Sequence, residues 1–359
     1  PAMMSTRRNA LKLGALAAAS GSASAVTPRG PRTYKWMPKL SENLPDCEIP
    51  TLKWLRQLGC TYVIFQGTDR VDRDHKGYWT KEDIRPYKAN CEQMGMTLES
   101  MMIPIDFYKK CRLDQPGKDQ EIDNVLRTVK AAGEMGVPMM EWRFWPDFYW
   151  DERVGYYSVE GRGGASNKAN DYTRIASAEP FPEIGTVNEE EMWKRFLDFA
   201  KPLVDAAQKA GVRLSMHPND PPNKNMRGST RIFTHPDGLR RFLKEAPSPS
   251  NGITFCQGTI TEMGVDVFEE IKYFVSRNRI NLVHFRTVRG TVPKYTEVFI
   301  DEGDIDMIQA MKVWKDAGYT NAFVSDHTPR VEGDTPWGHM GRSFSLGYMR
   351  AAVQAVNYM

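Results

Sequence analysis

Short apolar runs alternate along this chain with longer stretches in which apolar residues recur every three or four positions. The first pattern fits buried strands and the second fits amphipathic helices, so their regular alternation predicts a parallel sheet with helices packed outside it. Strands are predicted at 33–36, 61–65, 97–103, 138–144, 213–217, 252–256, 281–285 and 322–325. Helices are predicted near 49–58, 81–94, 119–135, 189–210, 236–245, 265–277, 304–317 and 342–356. Gly59, Gly95, Gly136, Gly211 and Gly318 each stand just past a predicted helix, where glycine accepts the left-handed backbone that commonly ends one. Eight strand–helix units joined by right-handed crossovers close into a single (β/α)8 TIM barrel.

One connection breaks this rhythm. Residues 146–184 follow the fourth strand and carry Phe148, Tyr149 and Trp150 and the stretch Gly161-Arg162-Gly163-Gly164. A connection this long in a compact barrel is a lid, a binding loop or a subunit contact. Its position after a strand puts it on the face where barrel enzymes build their sites. The aromatic group Trp142, Phe144, Trp145, Phe148, Tyr149 and Trp150 suits either stacking on sugar faces or packing.

Composition narrows the class. With 359 residues, 41% of them hydrophobic and 26% charged, the chain can bury a large core. A net charge of +3, without a block of Lys and Arg interleaved with aromatics, argues against a nucleic-acid partner. Residues 1–32 read as a leader and linker ahead of a barrel at 33–359. Arg7-Arg8, the apolar run from Leu13 to Ala19, and the small residues Ala23 and Ala25 resemble a twin-arginine export signal, which predicts a periplasmic or secreted protein. That apolar run is too short for a permanent membrane span. Cys47, Cys60, Cys91, Cys111 and Cys256 form no small-domain disulfide framework. Helix faces of barrels commonly pair, so a homo-oligomer is compatible with the sequence, but no surface is singled out.

Candidate chemistry concentrates at the ends of the last four strands, which run into His217, Cys256, His284 and Asp326. Two imidazoles, a thiol and a carboxylate from neighbouring strands can converge on one divalent metal, and the mixed donor set suits Mn, Fe, Co or Zn better than Mg or Ca. Taken singly, each has an ordinary structural explanation; four in register favour the metal. Asp220, Arg286 and His327 lie around this set. Arg286 suits a substrate carboxylate, or a pairing with Asp220 or Glu297, and His327 suits proton transfer, or the orienting of Asp326.

The phrases Met216-His217-Pro218-Asn219-Asp220-Pro221-Pro222, Phe255-Cys256-Gln257-Gly258, Val283-His284-Phe285-Arg286, Gly303-Asp304-Ile305-Asp306-Met307 and Asp326-His327 resemble, in order and spacing, the signature of the mannonate dehydratases. The resemblance covers the chain from about residue 33 and is clearest in the second half. It implies a xylose-isomerase-like barrel, usually with Mn, that removes water from D-mannonate to give 2-keto-3-deoxygluconate. It also implies His217, Cys256, His284 and Asp326 as metal ligands. Asp326 and His327 become candidates for proton transfer, with Arg286 and Asp220 beside them and Asn219, Trp337 and His339 as substrate contacts. The chain departs from the family pattern at Asn219, where the family has Asp, at Thr328, where it has Gly, and at Trp337, which stands in place of a tyrosine. Two other readings use the same residues: an isomerase, epimerase or lyase acting on an oxidised sugar or glycoside, and a periplasmic protein that binds a sugar acid without turning it over.

Overall fold

The computed structural model describes residues 33–147 and 149–359; the predicted leader and linker lie outside the described residues. Eight parallel strands follow one another in chain order. Strand β1 comes in two short pieces, Lys39–Leu40 and Asn43–Leu44, followed by β2 (Tyr62–Phe65), β3 (Thr97–Met102) and β4 (Met139–Arg143). The second half supplies β5 (Arg213–His217), β6 (Asn251–Cys256), β7 (Ile280–His284) and β8 (Ala322–Val324). The first piece of β1 pairs with β8 and the second with β2, so this strand closes the sheet into the predicted barrel.

The predicted first strand at 33–36 is a correction. That segment forms no strand; Trp36 packs into the core, and its indole N–H donates to the carbonyl of Tyr319 at 2.7 Å. The real β1 escaped the hydrophobic pattern because it carries Ser41, Glu42 and Asn43, all buried. Helices lie close to their predicted spans: α1 (Ile49–Gln57), α2 (Lys81–Gln93), α3 (Lys118–Glu134), α4 (Glu189–Ala210), α5 (Pro236–Glu245), α6 (Val267–Ser276), α7 (Met307–Asp316) and α8 (His339–Val356). Among the described residues no helix is long and apolar enough to cross a membrane.

Side-chain alternation along the strands separates two environments. Outward residues such as Met140, Trp142, Leu214, Met216, Phe255, Val283 and Phe323 join Phe196, Phe199, Phe242 and Trp314 of the helices in the main core. Inward residues begin apolar, with Ile64, Met139, Leu282, Ala322 and Val324 in contact across the barrel. Toward the C-terminal strand ends they turn polar. Ser215 and Thr254 share a hydrogen bond at 2.8 Å, and Glu141, His217, Cys256 and His284 follow, all buried.

The connection at 146–184 is more ordered than a loop. It contains the antiparallel strands Tyr156–Glu160 and Ser166–Asp171. A hairpin after β7, Val288–Thr291 with Lys294–Glu297, adds to them and completes a four-stranded cap sheet. Val154, Tyr156, Phe181, Met226, Val288 and Tyr295 form the cap's own apolar core. The Gly303-to-Met307 phrase supports this hairpin. A Cβ on Gly303 would lie 1.9 Å from Thr287 Oγ1, and Asp304 accepts from the Gly290 N–H at 2.7 Å.

Asp306 then caps α7, accepting from the Ile308 and Gln309 N–H groups at 3.0 and 2.9 Å. Replacing it with alanine is expected to lower stability by about 1 kcal/mol, and Asp306→Asn to retain most of it. Urea unfolding checks this, and an unshifted midpoint for Asp306→Ala would contradict the capping role.

Candidate active site

Register explains why the strand ends converge. Cys256 stands directly beside His284 across β6 and β7, and Arg143 stands beside His217 across β4 and β5. The ligand atoms of His217, Cys256 and His284 lie within 4.8 Å of one another, and all three residues are buried. His217 Nδ1 lies 2.7 Å from the Pro218 carbonyl. A carbonyl only accepts, so Nδ1 carries the hydrogen and Nε2 keeps its lone pair; such a contact commonly orients a metal-binding imidazole. The Thr259 hydroxyl donates to Cys256 Sγ at 3.1 Å.

His284 gives the strongest sign that a cation belongs here. Both of its ring nitrogens are buried without a hydrogen-bond partner, as is Glu141 Oε1, which lies 3.7 Å from Nε2. Such orphans are costly in an apolar interior unless something else satisfies them. Two imidazoles and a thiol are the donors a transition metal takes, so the residues present fit one. Asp326, the expected fourth ligand, approaches only part of this group. Its Oδ2 lies 3.4 Å from His284 Nδ1, and it is outside the set whose atoms all lie within 4.8 Å.

Asp326 has a left-handed backbone, with φ of 62°, which is unfavourable for a residue with a Cβ. Several bonds hold it there: Asn43 Nδ2 donates to its carboxylate at 3.1 Å, Arg286 Nε at 3.1 Å, and Arg342 Nη1 donates to its carbonyl at 2.6 Å. Burial alone would raise its carboxyl, but His284, His327 and Arg286 outweigh that and hold it well below the usual carboxylate range. That direction favours the carboxylate form, the form in which Asp326 could bind a cation.

Arg286 was expected to meet a substrate carboxylate or to pair with Asp220; the structure places it in the pairing. Its guanidinium donates to Asp220 at 2.7 Å, Glu262 at 2.8 Å, Asp326 at 3.1 Å and the Thr259 hydroxyl at 3.1 Å, with 2% of the side chain exposed. Tyr156 and Tyr295 of the cap donate to the other oxygen of Asp220 at 2.8 and 3.1 Å. Burial pushes Asp220 upward, but Arg286, then His327 and His217, bring it down to about 2. Burial, and then Asp220 itself, push Glu262 well above its ordinary value.

His327 faces the open space. Its Nδ1 lies 2.9 Å from Glu297 of the cap and its Nε2 lies 3.7 Å from Asp326. Two adjoining cavities, of about 500 and 360 Å³, open between barrel and cap and share Trp150, Lys168, His327, Trp337 and Arg342. Trp337 therefore reaches the mouth. Asn219 and His339 line neither cavity. Asn219 instead pins its own loop, its Oδ1 accepting from the Phe233 N–H at 2.9 Å, while His339 Nδ1 lies 2.6 Å from the Thr335 hydroxyl.

Sequence reasoning missed Glu141, Arg143, Glu262 and the cap residues Tyr156, Lys168 and Tyr295; Glu297 was expected to pair with Arg286 but meets His327 instead. The signal for Glu141 and Arg143 was present: two charges at alternate positions near the end of a strand otherwise made of Met and Trp. For the cap residues nothing in their spacing tied them to the barrel. All five cysteines are unpaired and buried.

Fold and site together define a xylose-isomerase-like barrel with a group of residues at its C-terminal mouth that could hold a metal. The D-mannonate dehydratase (UxuA) family profile matches residues 46–181 and 168–359, and the chain belongs to this family. It is 27% identical over 290 residues to mannonate dehydratase 2 of Halalkalibacterium halodurans, covering 74% of this chain and 82% of that one. The crystal structure of mannonate dehydratase from Streptococcus suis serotype 2 superposes with a TM-score of 0.74 at 26% identity, over 83% of this chain and 88% of that one. A xylose isomerase domain protein from Planctomyces limnophilus, at 12% identity and a TM-score of 0.59 over 91% of this chain and all (100%) of that one, shares the fold.

The packing of Arg286 explains a glycine in the family phrase. A Cβ on Gly258 would lie 2.3 Å from Arg286 Nη1 and 2.8 Å from its Cγ. Gly258→Ala is expected to cost about 1–3 kcal/mol by overpacking. Arg286→Met, which leaves buried carboxylates unpaired, is expected to cost about 3–5 kcal/mol. Denaturant unfolding of the two variants should reproduce that order; a neutral Arg286→Met would show that the ion web is dispensable.

Proposed function

We propose that this chain is a metal-dependent hydro-lyase that dehydrates D-mannonate, or a closely related aldonate, to a 2-keto-3-deoxy acid. Family membership across the barrel supports the reaction, and the convergence of His217, Cys256 and His284 carries the metal dependence. Those three residues, with Asp326 beside them, would hold the cation, and Mn is the first candidate. When bound, the metal supplies a positive charge that polarises substrate oxygens and acidifies the hydrogen next to the carboxylate.

The residues of this chain supply the rest. Glu297 holds Nδ1 of His327, which leaves Nε2 toward the cavity. In this reading Nε2 takes the proton from C2, the C2–H electron pair forms the C2–C3 double bond, and the C3–O bond breaks. The same imidazole returns its proton to the departing hydroxyl, which leaves as water, and the enol becomes the 2-keto acid. Asp326, held ionised, stays beside His327 without competing as an acid. Trp337 has no phenolic proton to offer, which leaves the acid step to the imidazole.

Protein reconstituted with Mn, and then with Fe, Co or Zn, is expected to release a 2-keto-3-deoxy acid from D-mannonate. Cys256→Ala should lose both metal and product, while His327→Gln should keep the metal and lose about 10²- to 10⁴-fold in kcat. Epimerisation without loss of water, or binding without turnover, would overturn this reading in favour of the isomerase or binding-protein alternative. Export by the twin-arginine route is a further part of the proposal and rests on Arg7 and Arg8 with the apolar run after them. A full-length protein found only in the cytoplasm, unaffected by Arg7→Lys with Arg8→Lys, would count against it.

A further inference from the structure

An aldonate is an anion, so its site needs a cation that is not already neutralised. Arg286 cannot serve, because its donors are engaged by protein and it lines neither cavity. Arg342 lines both cavities, but its charge is paired with the buried Glu42: Nη1 donates to Glu42 and to the Asp326 carbonyl, and Nε to the Trp337 carbonyl. Arg143 lies 3.5 Å from Glu141 and packs against Trp145 and Trp150.

Lys168 differs from all three. It projects from the cap strand Ser166–Asp171 and lines both cavities, and its ammonium makes no hydrogen bond or ion pair among the described residues, Glu297 and Asp151 acting on it only at longer range. Aromatic faces position its ammonium, with Nζ 3.9 Å from the centre of the Tyr156 ring and 5.0 Å from that of Trp150. Such contacts fix a cation while leaving its hydrogens available to an acceptor. The same Trp150 ring stands 6.1 Å from the His327 ring, edge to face. The ammonium and the imidazole therefore border one indole, inside one cavity. In an aldonate the carboxylate carbon is bonded to the carbon that loses its proton, so the two groups that handle them must lie close together.

We propose that Lys168 of the cap receives the substrate carboxylate and so sets the preference for acidic sugars, placing C2 against His327. This rests on the dehydratase reading and names its anion receptor. It also gives the cap a function, since substrate bound to Lys168 joins the cap sheet to the barrel.

The test uses metal-loaded full-length protein with Lys168→Met and Lys168→Arg. Lys168→Met is expected to raise KM for D-mannonate about 10- to 100-fold, the range for losing a hydrogen bond to a charged group, with kcat changed far less. Lys168→Arg should recover most of the loss, and weak inhibition by neutral D-mannitol should be the same in all three proteins. An unchanged KM in Lys168→Met, or an equal loss for mannonate and mannitol, would overturn the proposal. If the wild type binds D-mannonate by calorimetry but forms no product, the dehydratase reading fails while the binding comparison still decides the role of Lys168. Equal affinity in wild type and Lys168→Met, or no affinity in either, rejects it.

Discussion

The site depends on one buried cation. Arg286, at the end of β7, reaches Asp220 after β5, Glu262 after β6 and Asp326 after β8, all within 3.1 Å. Three carboxyl groups cannot share a dry interior as anions without compensation, and this structure meets the constraint in two ways. The guanidinium neutralises Asp220 and Asp326, and Glu262 is pushed up by burial and by its neighbour Asp220. The space this web requires explains the glycine at 258, which Arg286 crosses at a distance no Cβ would allow.

From this web two structures are built. On the barrel side, Asp326 is held in an unfavourable left-handed conformation with its carboxylate between His284 and His327, beside the His217–Cys256–His284 cluster. On the cap side, Asp220 accepts both phenols, Tyr156 and Tyr295, and thereby ties the cap sheet to the strand ends. The cap returns Glu297 to His327 and presents Lys168 to the cavity. His327 and Lys168 thus come from different elements that share one electrostatic anchor. Dependence on rigid packing for such placement is what a reaction sensitive to sub-ångström geometry requires.

Much of this was legible in the sequence because period and burial coincide. Strands β2 to β8 and all eight barrel helices were visible as apolar runs and amphipathic stretches, and helices α4 and α5 fell on their predicted bounds. Strand β1 was not, since Ser41, Glu42 and Asn43 occupy it, and besides the neighbouring Asn43 N–H the Glu42 carboxylate is satisfied by Ser325 and Arg342, from the far end of the chain. The grouping of His217, Cys256 and His284 was legible because each of the three ends a strand, so that topology alone brings them together. Arg286 was visible but its use was not, because its carboxylate partners depend on loop conformations that spacing does not encode. Lys168 and Tyr156 were hidden for the same reason: their contacts with the site exist only once the two hairpins pair.

X-ray absorption spectroscopy of the Mn-loaded protein would test the central claim most directly, because the metal and its donors are read together. The account predicts one cation with a single sulfur and two imidazole nitrogens in its first shell, the sulfur vanishing in Cys256→Ser. A tightly held metal surrounded only by oxygen, indifferent to that substitution, would place it elsewhere and contradict the site described here.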